Sequence, residues 1–202
     1  MEIKHLYLKT NKLSELKKFY QDLLNFIVIR ENHFSLTLRL ENIFLTLENT
    51  KEDTFYHFAF GINELLYPIL MEKINQSIEP IKDSDGQQEF ESGLWKRKQV
   101  YYYDPQGNII EFLKNQDTRI LEIGMPVSNI NSFINSLQSI NNIYKQASDN
   151  FSFYGDENGV FVITKVGRPW FPTQLACSIH PIKVEVDASL SLSFPEYSYN
   201  IN

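Results

Sequence analysis

The sequence lacks the features typical of disulfide-rich, membrane and nucleic-acid-binding proteins. It contains one cysteine, Cys177, so no disulfide can form within the chain, which is typical of a reducing compartment. No run approaches 18 uncharged apolar residues, and the start, Met-Glu-Ile-Lys-His, lacks the apolar core of a signal peptide, so no membrane association is predicted. A net charge of −6 gives no basic surface for nucleic acid. We therefore expect a cytoplasmic protein.

The composition is that of a well-packed globular protein. The chain has 202 residues, of which 43% are hydrophobic and 14% aromatic. These values predict an ample core in one large or two small domains.

One pattern of predicted elements occurs three times along the chain. Residues 1–52, 53–117 and 118–187 each begin with a strand and continue through a helix to further strands, which predicts repeated β-α-β-β-β units. Aligning the first strands places His5, His57 and Glu122 in register. An acidic loop at 82–93 lengthens the middle unit. Residues 188–202 are rich in Ser, Tyr and Asn, and we expect a poorly ordered tail there.

A hairpin at 101–113 carries a carboxylate within its second strand. Asp104, Pro105 and Gly107 favour a tight turn between two apolar runs. Glu111 follows in the second run, where it must reach solvent or find a cation, since burying an unpaired carboxylate is costly.

Two histidines and this glutamate form the candidate metal site. His5 and His57 lie on the first strands of successive units, and with Glu111 they would converge if the two units fold around a shared axis. Two imidazoles and one carboxylate suit one divalent ion of iron, manganese, zinc or nickel, with positions open for substrate. The alternative is that each histidine is a hydrogen-bonded structural residue and that Glu111 is solvated.

Three segments carry a family resemblance. Residues 19–26, Phe-Tyr-Gln-Asp-Leu-Leu-Asn-Phe, resemble the helix exit of the vicinal-oxygen-chelate superfamily, which includes glyoxalase I, fosfomycin-resistance thiol transferases, bleomycin-binding proteins and extradiol dioxygenases. Residues 56–62 and 103–112 resemble its second-module signatures. The resemblance implies an α+β fold of tandem β-α-β-β-β modules. Modules 1–52 and 53–117 would pair into a cup-shaped mixed sheet over 1–117, with a third similar module C-terminal.

The resemblance also bears on ligands and function. His5, His57 and Glu111 match the ligand positions of the superfamily, whereas the fourth ligand of glyoxalase I falls near Leu45 and Thr46, which cannot replace a carboxylate. It implies a divalent-metal-dependent enzyme acting on a small oxygen-chelating substrate, of dioxygenase, lyase or thiol transferase type. The alternative is a metal-free binding protein of the bleomycin-resistance type. A third hypothesis is a scaffold whose unpaired third module completes its cup in a homodimer.

Aromatic and basic residues near the hairpin are candidates for the substrate pocket. The residues expected to line it are Trp95, Arg97, Tyr101 and Tyr103. A solvated basic rim and ordinary core packing are the alternatives for these side chains. Arg168, Trp170 and Phe171 would form either a lid or the packing of an irregular segment.

Overall fold

A computed structural model describes residues 1–144 and 148–202. In these residues a mixed sheet dominates and three short α-helices accompany it, so the predicted α+β class is confirmed. No helix within the described ranges is long and apolar enough to cross a membrane.

The first unit contains the predicted strand, helix and three strands. Its elements are β1 (Ile3–Thr10), α1 (Leu13–Lys18), a π-helical turn (Phe19–Leu23), β2 (Ile27–Glu31), β3 (Ser35–Leu40) and β4 (Ile43–Asn49). β4 pairs parallel with β1, and β3 lies antiparallel between β4 and β2. Asn25 has a φ of 60°, a left-handed conformation that Asn tolerates better than most residues, and the chain leaves the helical segment there.

The second unit repeats this arrangement, whereas within the described residues the third has two strands after its helix, one fewer than predicted. The second comprises β5 (His57–Asn63), α2 (Leu66–Asn75), β6 (Glu89–Glu91), β7 (Lys98–Tyr103) and β8 (Ile109–Asn115), and the third comprises β9 (Arg119–Val127), α3 (Ile130–Ser136), β10 (Phe151–Asp156) and β11 (Gly159–Lys165). In both units the last strand pairs parallel with the first, β8 with β5 and β11 with β9. Residues 145–147, inside the predicted third unit, lie outside the described residues.

The C-terminal segment is ordered, which corrects the expectation of a poorly ordered tail at 188–202. It contains β12 (Ile182–Val186), β13 (Leu192–Phe194) and β14 (Tyr199–Ile201), with β14 parallel to β12 and antiparallel to β13. Tyr199 and Ile201 are fully buried, and the Tyr199 hydroxyl donates to the Pro126 carbonyl at 2.7 Å. The segment is ordered because its apolar side chains are covered against the rest of the sheet.

The units pair in the sheet differently from the prediction, which paired residues 1–52 with residues 53–117. β5 pairs antiparallel with β9, and β1 pairs antiparallel with β12. β1 and β9 meet only at Ile3 and Ile120. The first strand of the second unit therefore pairs with the first strand of the third unit. The first strand of the first unit pairs with the C-terminal strand β12. Repeat spacing alone cannot decide this, because any two apolar first strands can pair.

The predicted hairpin at 101–113 is present and fixes the position of Glu111. Asp104 Oδ1 accepts hydrogen bonds from the backbone N–H groups of Gln106 and Asn108 at 2.9 and 3.0 Å. Gly107 has a φ of 94°, which a residue with a side chain rarely adopts. The Tyr20 hydroxyl donates to Asp104 Oδ2 at 3.3 Å, so this turn also ties the first unit to the second.

Candidate metal centre

The register of three neighbouring strands brings three donor side chains to one face of the sheet. Ala59 of β5 lies opposite Glu111 of β8 on one side and opposite Glu122 of β9 on the other. His57 precedes Ala59 by two residues, so strand alternation puts its side chain on the same face. One ligand atom from each of His57, Glu111 and Glu122 lies within 4.8 Å of the other two, and all three residues are buried. We call these three residues the His57 cluster.

The His57 imidazole is held in its neutral form. Its pKa is lowered to about 4, because burial disfavours the charged ring and the nearby Ile109 backbone opposes this only in part. Nε2 lies 3.7 Å from Glu111 Oε2, and Nδ1 is buried without a hydrogen bond of normal geometry. The ring packs against Trp170, with 4.8 Å between the ring centroids. A neutral imidazole is the form that binds a metal ion.

Glu111 is fully enclosed, and Tyr101 contacts it. Burial, followed by the charge of Glu122, raises the pKa of the Glu111 carboxyl well above its usual range, and a hydrogen bond from Tyr101 lowers it in part. Gln99 Nε2 donates to the Tyr101 hydroxyl oxygen at 2.6 Å, which leaves the hydroxyl proton free to be donated to Glu111. Burial also raises the pKa of Tyr101 itself, so this proton stays on the tyrosine.

Glu122 is the second buried carboxylate, and Trp95 orients it. The Trp95 indole N–H donates to Glu122 Oε1. Burial raises the pKa of the Glu122 carboxyl to about 7, while the hydrogen bond from Trp95 acts in the opposite direction. This indole contact leaves the other oxygen of Glu122 available for a ligand.

The two carboxylates of the His57 cluster have no ion-pair partner among the lysines and arginines of the described residues. Within the described residues neither Glu111 nor Glu122 forms an ion pair with a lysine or arginine, and the His57 ring beside them is neutral. Two buried carboxylates without a counter-charge either hold protons or require a cation, because desolvated unpaired charges are costly. This donor set therefore fits a divalent cation.

A cavity of about 140 Å³ opens beside the His57 cluster. Besides the three donors, its lining includes Tyr101, Phe151, Phe153, Arg168, Trp170 and Phe171. Gly124 makes room for the indole of Trp170, because a Cβ at that position would lie 2.7 Å from Trp170 Cη2. The segment predicted as either a lid or simple packing thus forms part of the cavity wall.

His5, the other predicted metal ligand, lies in a different region. Its Nε2 hydrogen-bonds the Thr46 hydroxyl at 2.8 Å, and its Nδ1 lies 3.9 Å from Glu185. The ring stacks on Tyr7 with 4.0 Å between centroids. The predicted convergence of His5 with His57 and Glu111 is therefore corrected: β1 pairs with β12 instead of β5, and Glu122 occupies the third position near His57.

The four predicted pocket residues separate into two pairs. Tyr101 lines the cavity, and Trp95 reaches the site through Glu122. Arg97 donates to the side chain of Asn115 and borders a different surface depression, and Tyr103 is 40% exposed outside the cavity lining. Basic character and a place before the hairpin were not enough to locate Arg97, because it lies in a bend before β7, where strand alternation does not set the direction of the side chain.

Glu122 is the donor that the sequence interpretation missed. The alignment of first strands had placed it in register with His5 and His57, but it stood alone in a unit expected to be unpaired. With β9 paired to β5, the same register becomes a direct contact across the sheet. The alignment that points to Glu122 could be read from the sequence, but the sequence did not reveal which units pair with each other.

Comparison with known proteins finds likeness in structure only. No protein-family model matches the chain, and no curated protein matches its sequence. A Bacillus subtilis subsp. subtilis str. 168 protein described as a "putative dioxygenase" superposes with a TM-score of 0.61 and 12% identity, covering 98% of this chain and 72% of the other. Glyoxalase I from Zea mays superposes with a TM-score of 0.56 and 16% identity, covering 91% of this chain and 74% of the other.

These similarities extend over nearly the whole chain at identities too low to transfer residue roles. They agree with the resemblance carried by residues 19–26, 56–62 and 103–112. The chain therefore has the fold that these glyoxalase I and putative dioxygenase structures share.

Proposed function

We propose that the chain is a divalent-metal-dependent enzyme that acts on a small oxygen-chelating substrate at the His57 cluster. The observation that carries this proposal is the pair of buried carboxylates, Glu111 and Glu122, beside a neutral buried imidazole, with no ion pair to a lysine or arginine of the described residues. Burial of such a pair is explained by a ligand that supplies positive charge.

The donor set fits a first-row divalent ion. Metal–ligand bonds of about 2.0–2.2 Å allow two donors on one ion to lie up to about 4.4 Å apart. The three donors already lie within 4.8 Å of one another, so small side-chain adjustments suffice. One imidazole and two carboxylates are a harder set than the predicted two imidazoles and one carboxylate, which favours iron or manganese over zinc or nickel.

The surrounding residues orient the donor atoms for metal binding. Trp95 fixes one oxygen of Glu122, and Tyr101 donates to Glu111, so each carboxylate keeps lone pairs directed to the centre. When bound there, the ion supplies a Lewis acid that stabilises negative charge on substrate oxygens. Trp170 and Phe171 give the cavity an apolar wall, which strengthens electrostatic interactions beside it.

The reaction belongs to one of three classes that use chelation by adjacent oxygens: dioxygenation, lyase chemistry or thiol transfer. In each class His57, Glu111 and Glu122 keep the same role as ligands, and the substrate occupies the remaining positions. The reaction class then depends on the cavity wall.

Elemental analysis tests this proposal. Protein purified without chelator and without a histidine tag is expected to contain about one equivalent of iron or manganese per chain, and Glu111→Gln is expected to lose it. Glu185→Gln, which changes a carboxylate near His5, is the matched control and is expected to keep the metal. A wild-type protein that contains no metal and takes up none on titration contradicts the proposal.

One observation supports the alternative of a metal-free binding protein. The cavity wall is largely aromatic, which suits the capture of a planar ligand without chemistry. In that case Glu111 and Glu122 would share protons, and Glu111→Gln would leave ligand binding unchanged. The same variant therefore separates the two functions.

A further inference from the structure

Arg168 is a cation at the cavity wall with no anion to match it. Its guanidinium carbon lies 4.6 Å from the centroid of the Phe151 ring, and its one side-chain hydrogen bond to the described residues is a long contact of 3.4 Å to the Pro169 carbonyl. It forms no ion pair within residues 1–144 and 148–202. Stacking on an aromatic ring preorganises a guanidinium while leaving its N–H groups free.

The backbone around Arg168 is anchored, so the side chain starts from a fixed point. The Arg168 N–H donates to the Lys165 carbonyl at 3.0 Å, and the Arg168 carbonyl accepts from the Cys177 N–H at 2.9 Å. Its position at the wall is therefore part of the fold.

The charges at the cavity add up to one uncompensated positive charge. A divalent ion balances the two carboxylates of Glu111 and Glu122, and Arg168 is the cationic side chain among the described lining residues. A substrate carrying one negative charge would complete the balance.

Size and shape limit the substrate further. The cavity of about 140 Å³ is close to the roughly 150 Å³ that encloses one benzene ring in an engineered protein cavity. Phe151, Trp170 and Phe171 give it flat apolar walls. A carboxylate matches the planar fork of a guanidinium through two parallel hydrogen bonds.

We propose that Arg168 selects the substrate by binding the carboxylate of a small aromatic acid whose other oxygens face the His57 cluster. This inference rests on the proposed metal-dependent function and adds the substrate class to it. Arg168 acts on affinity and selectivity, whereas the His57 cluster holds the ion.

Paired probes of equal shape test the inference. Benzoate and benzamide differ mainly in charge, and their binding to Mn(II)-loaded protein can be followed by calorimetry and by tryptophan fluorescence, since both tryptophans of the chain, Trp95 and Trp170, lie at the site. Wild type is expected to bind benzoate about 10–100-fold more tightly than benzamide, the range of a charge-assisted hydrogen bond.

Variants assign that preference to Arg168. Arg168→Gln is expected to bind both probes equally, and Arg168→Lys to keep part of the preference. Arg39→Gln is the matched control, because Arg39 also lies over an aromatic ring, Phe44 at 5.3 Å, but away from the cavity, and it is expected to behave as wild type.

The outcomes separate the two proposals. Mn(II) uptake by wild type and all variants, with a benzoate preference that is absent in wild type or unchanged in Arg168→Gln, overturns the inference and leaves the metal site standing. Failure of wild type to take up Mn(II) overturns both. Melting temperatures of the variants close to that of wild type exclude loss of folding as the cause of any change.

Discussion

Two regions of the sheet repeat one strand pattern and differ in what they offer a ligand. Around His57, Ala59 of β5 lies between Glu111 of the parallel neighbour and Glu122 of the antiparallel neighbour. The result is a small residue flanked by two carboxylates. This arrangement leaves room and negative charge for an ion.

Around His5 the corresponding positions hold other side chains. Tyr7 of β1 lies between Thr46 of parallel β4 and Lys183 of antiparallel β12. The Lys183 ammonium lies 4.2 Å from the centroid of the Tyr7 ring and 3.1 Å from Glu185. This region, which we call the His5 region, thus contains its own cation, and its hydrogen bonds are satisfied internally.

A histidine at a repeated position does not by itself identify a metal ligand. The two neighbours that flank the same strand decide it. In the His57 cluster both flanking residues are anionic, whereas in the His5 region one is neutral and the other cationic.

The largest expected effect is on metal affinity when a flanking carboxylate is neutralised. Glu122→Gln removes one ligand charge, and we expect Mn(II) affinity to fall by more than about 100-fold, beyond the 10–100-fold typical of residues that only support a ligand. Lys183→Gln, the change at the corresponding position in the His5 region, is expected to leave affinity within about twofold. Calorimetric titration measures both, and equal losses would erase the distinction between the regions.

The metal-free protein is expected to lose stability as the pH rises from 6.5 to 8. Folding raises the pKa of Glu122 to about 7 and that of Glu111 well above its usual range, so the folded state holds protons that the unfolded chain has released, and the free energy of unfolding falls as the pH rises. His57 acts oppositely, but only below about pH 6.5, because its pKa is lowered from 6.5. We expect a loss of about 2 kcal/mol, or about 4–8 °C in Tm.

The control for this pH dependence is the double variant Glu111→Gln/Glu122→Gln. Its Tm is expected to stay nearly flat over the same range, since both carboxylates of the cluster are removed and Asp104, whose pKa burial raises to about 6, is largely ionised above pH 6.5. Thermal unfolding in the presence of chelator measures both proteins. A wild-type Tm that rises with pH would mean that the two carboxylates are not destabilised by burial.

A smaller effect is expected from the residue that orients Glu122. Trp95→Phe keeps the aromatic bulk and removes the indole donor, so we expect Mn(II) affinity to fall about tenfold. Tyr7→Phe removes a hydroxyl that donates to Glu185 at 2.8 Å in the His5 region and is expected to have no effect on Mn(II) affinity. An unchanged affinity in Trp95→Phe would show that the indole contact does not support the site.

The smallest effect concerns the stability of the His5 region. Thr46→Val removes a hydroxyl that bonds His5 at 2.8 Å and Thr37 at 2.9 Å, and we expect a cost of about 1 kcal/mol in the free energy of unfolding. Metal affinity is expected to stay unchanged. Chemical denaturation measures the first and calorimetry the second, and a drop in metal affinity would place His5 in the metal site.

Local patterns predicted much of the fold and part of the site. The turn chemistry of Asp104 and Gly107 located the hairpin that presents Glu111, and the repeated first strands located His57. These features depend on residues close together in the sequence, where turn and strand preferences act directly.

The predictions that failed are those that depend on the pairing of strands far apart in the sequence. His5 was expected beside His57 because the first two units were expected to pair, and Glu122 was set aside for the same reason. The choice between β1 and β9 as the neighbour of β5 depends on how whole apolar strands cover one another, which no short segment encodes. The order of the C-terminal segment follows from the same cause, since β14 is stabilised by its place beside β12.

The most direct test compares His57→Ala with His5→Ala in the same Mn(II) titration. The wild-type protein and His5→Ala are each expected to bind one equivalent with similar affinity, and His57→Ala to bind none measurably. Loss of binding in His5→Ala with retention in His57→Ala would contradict the assignment of the metal centre to the second and third units.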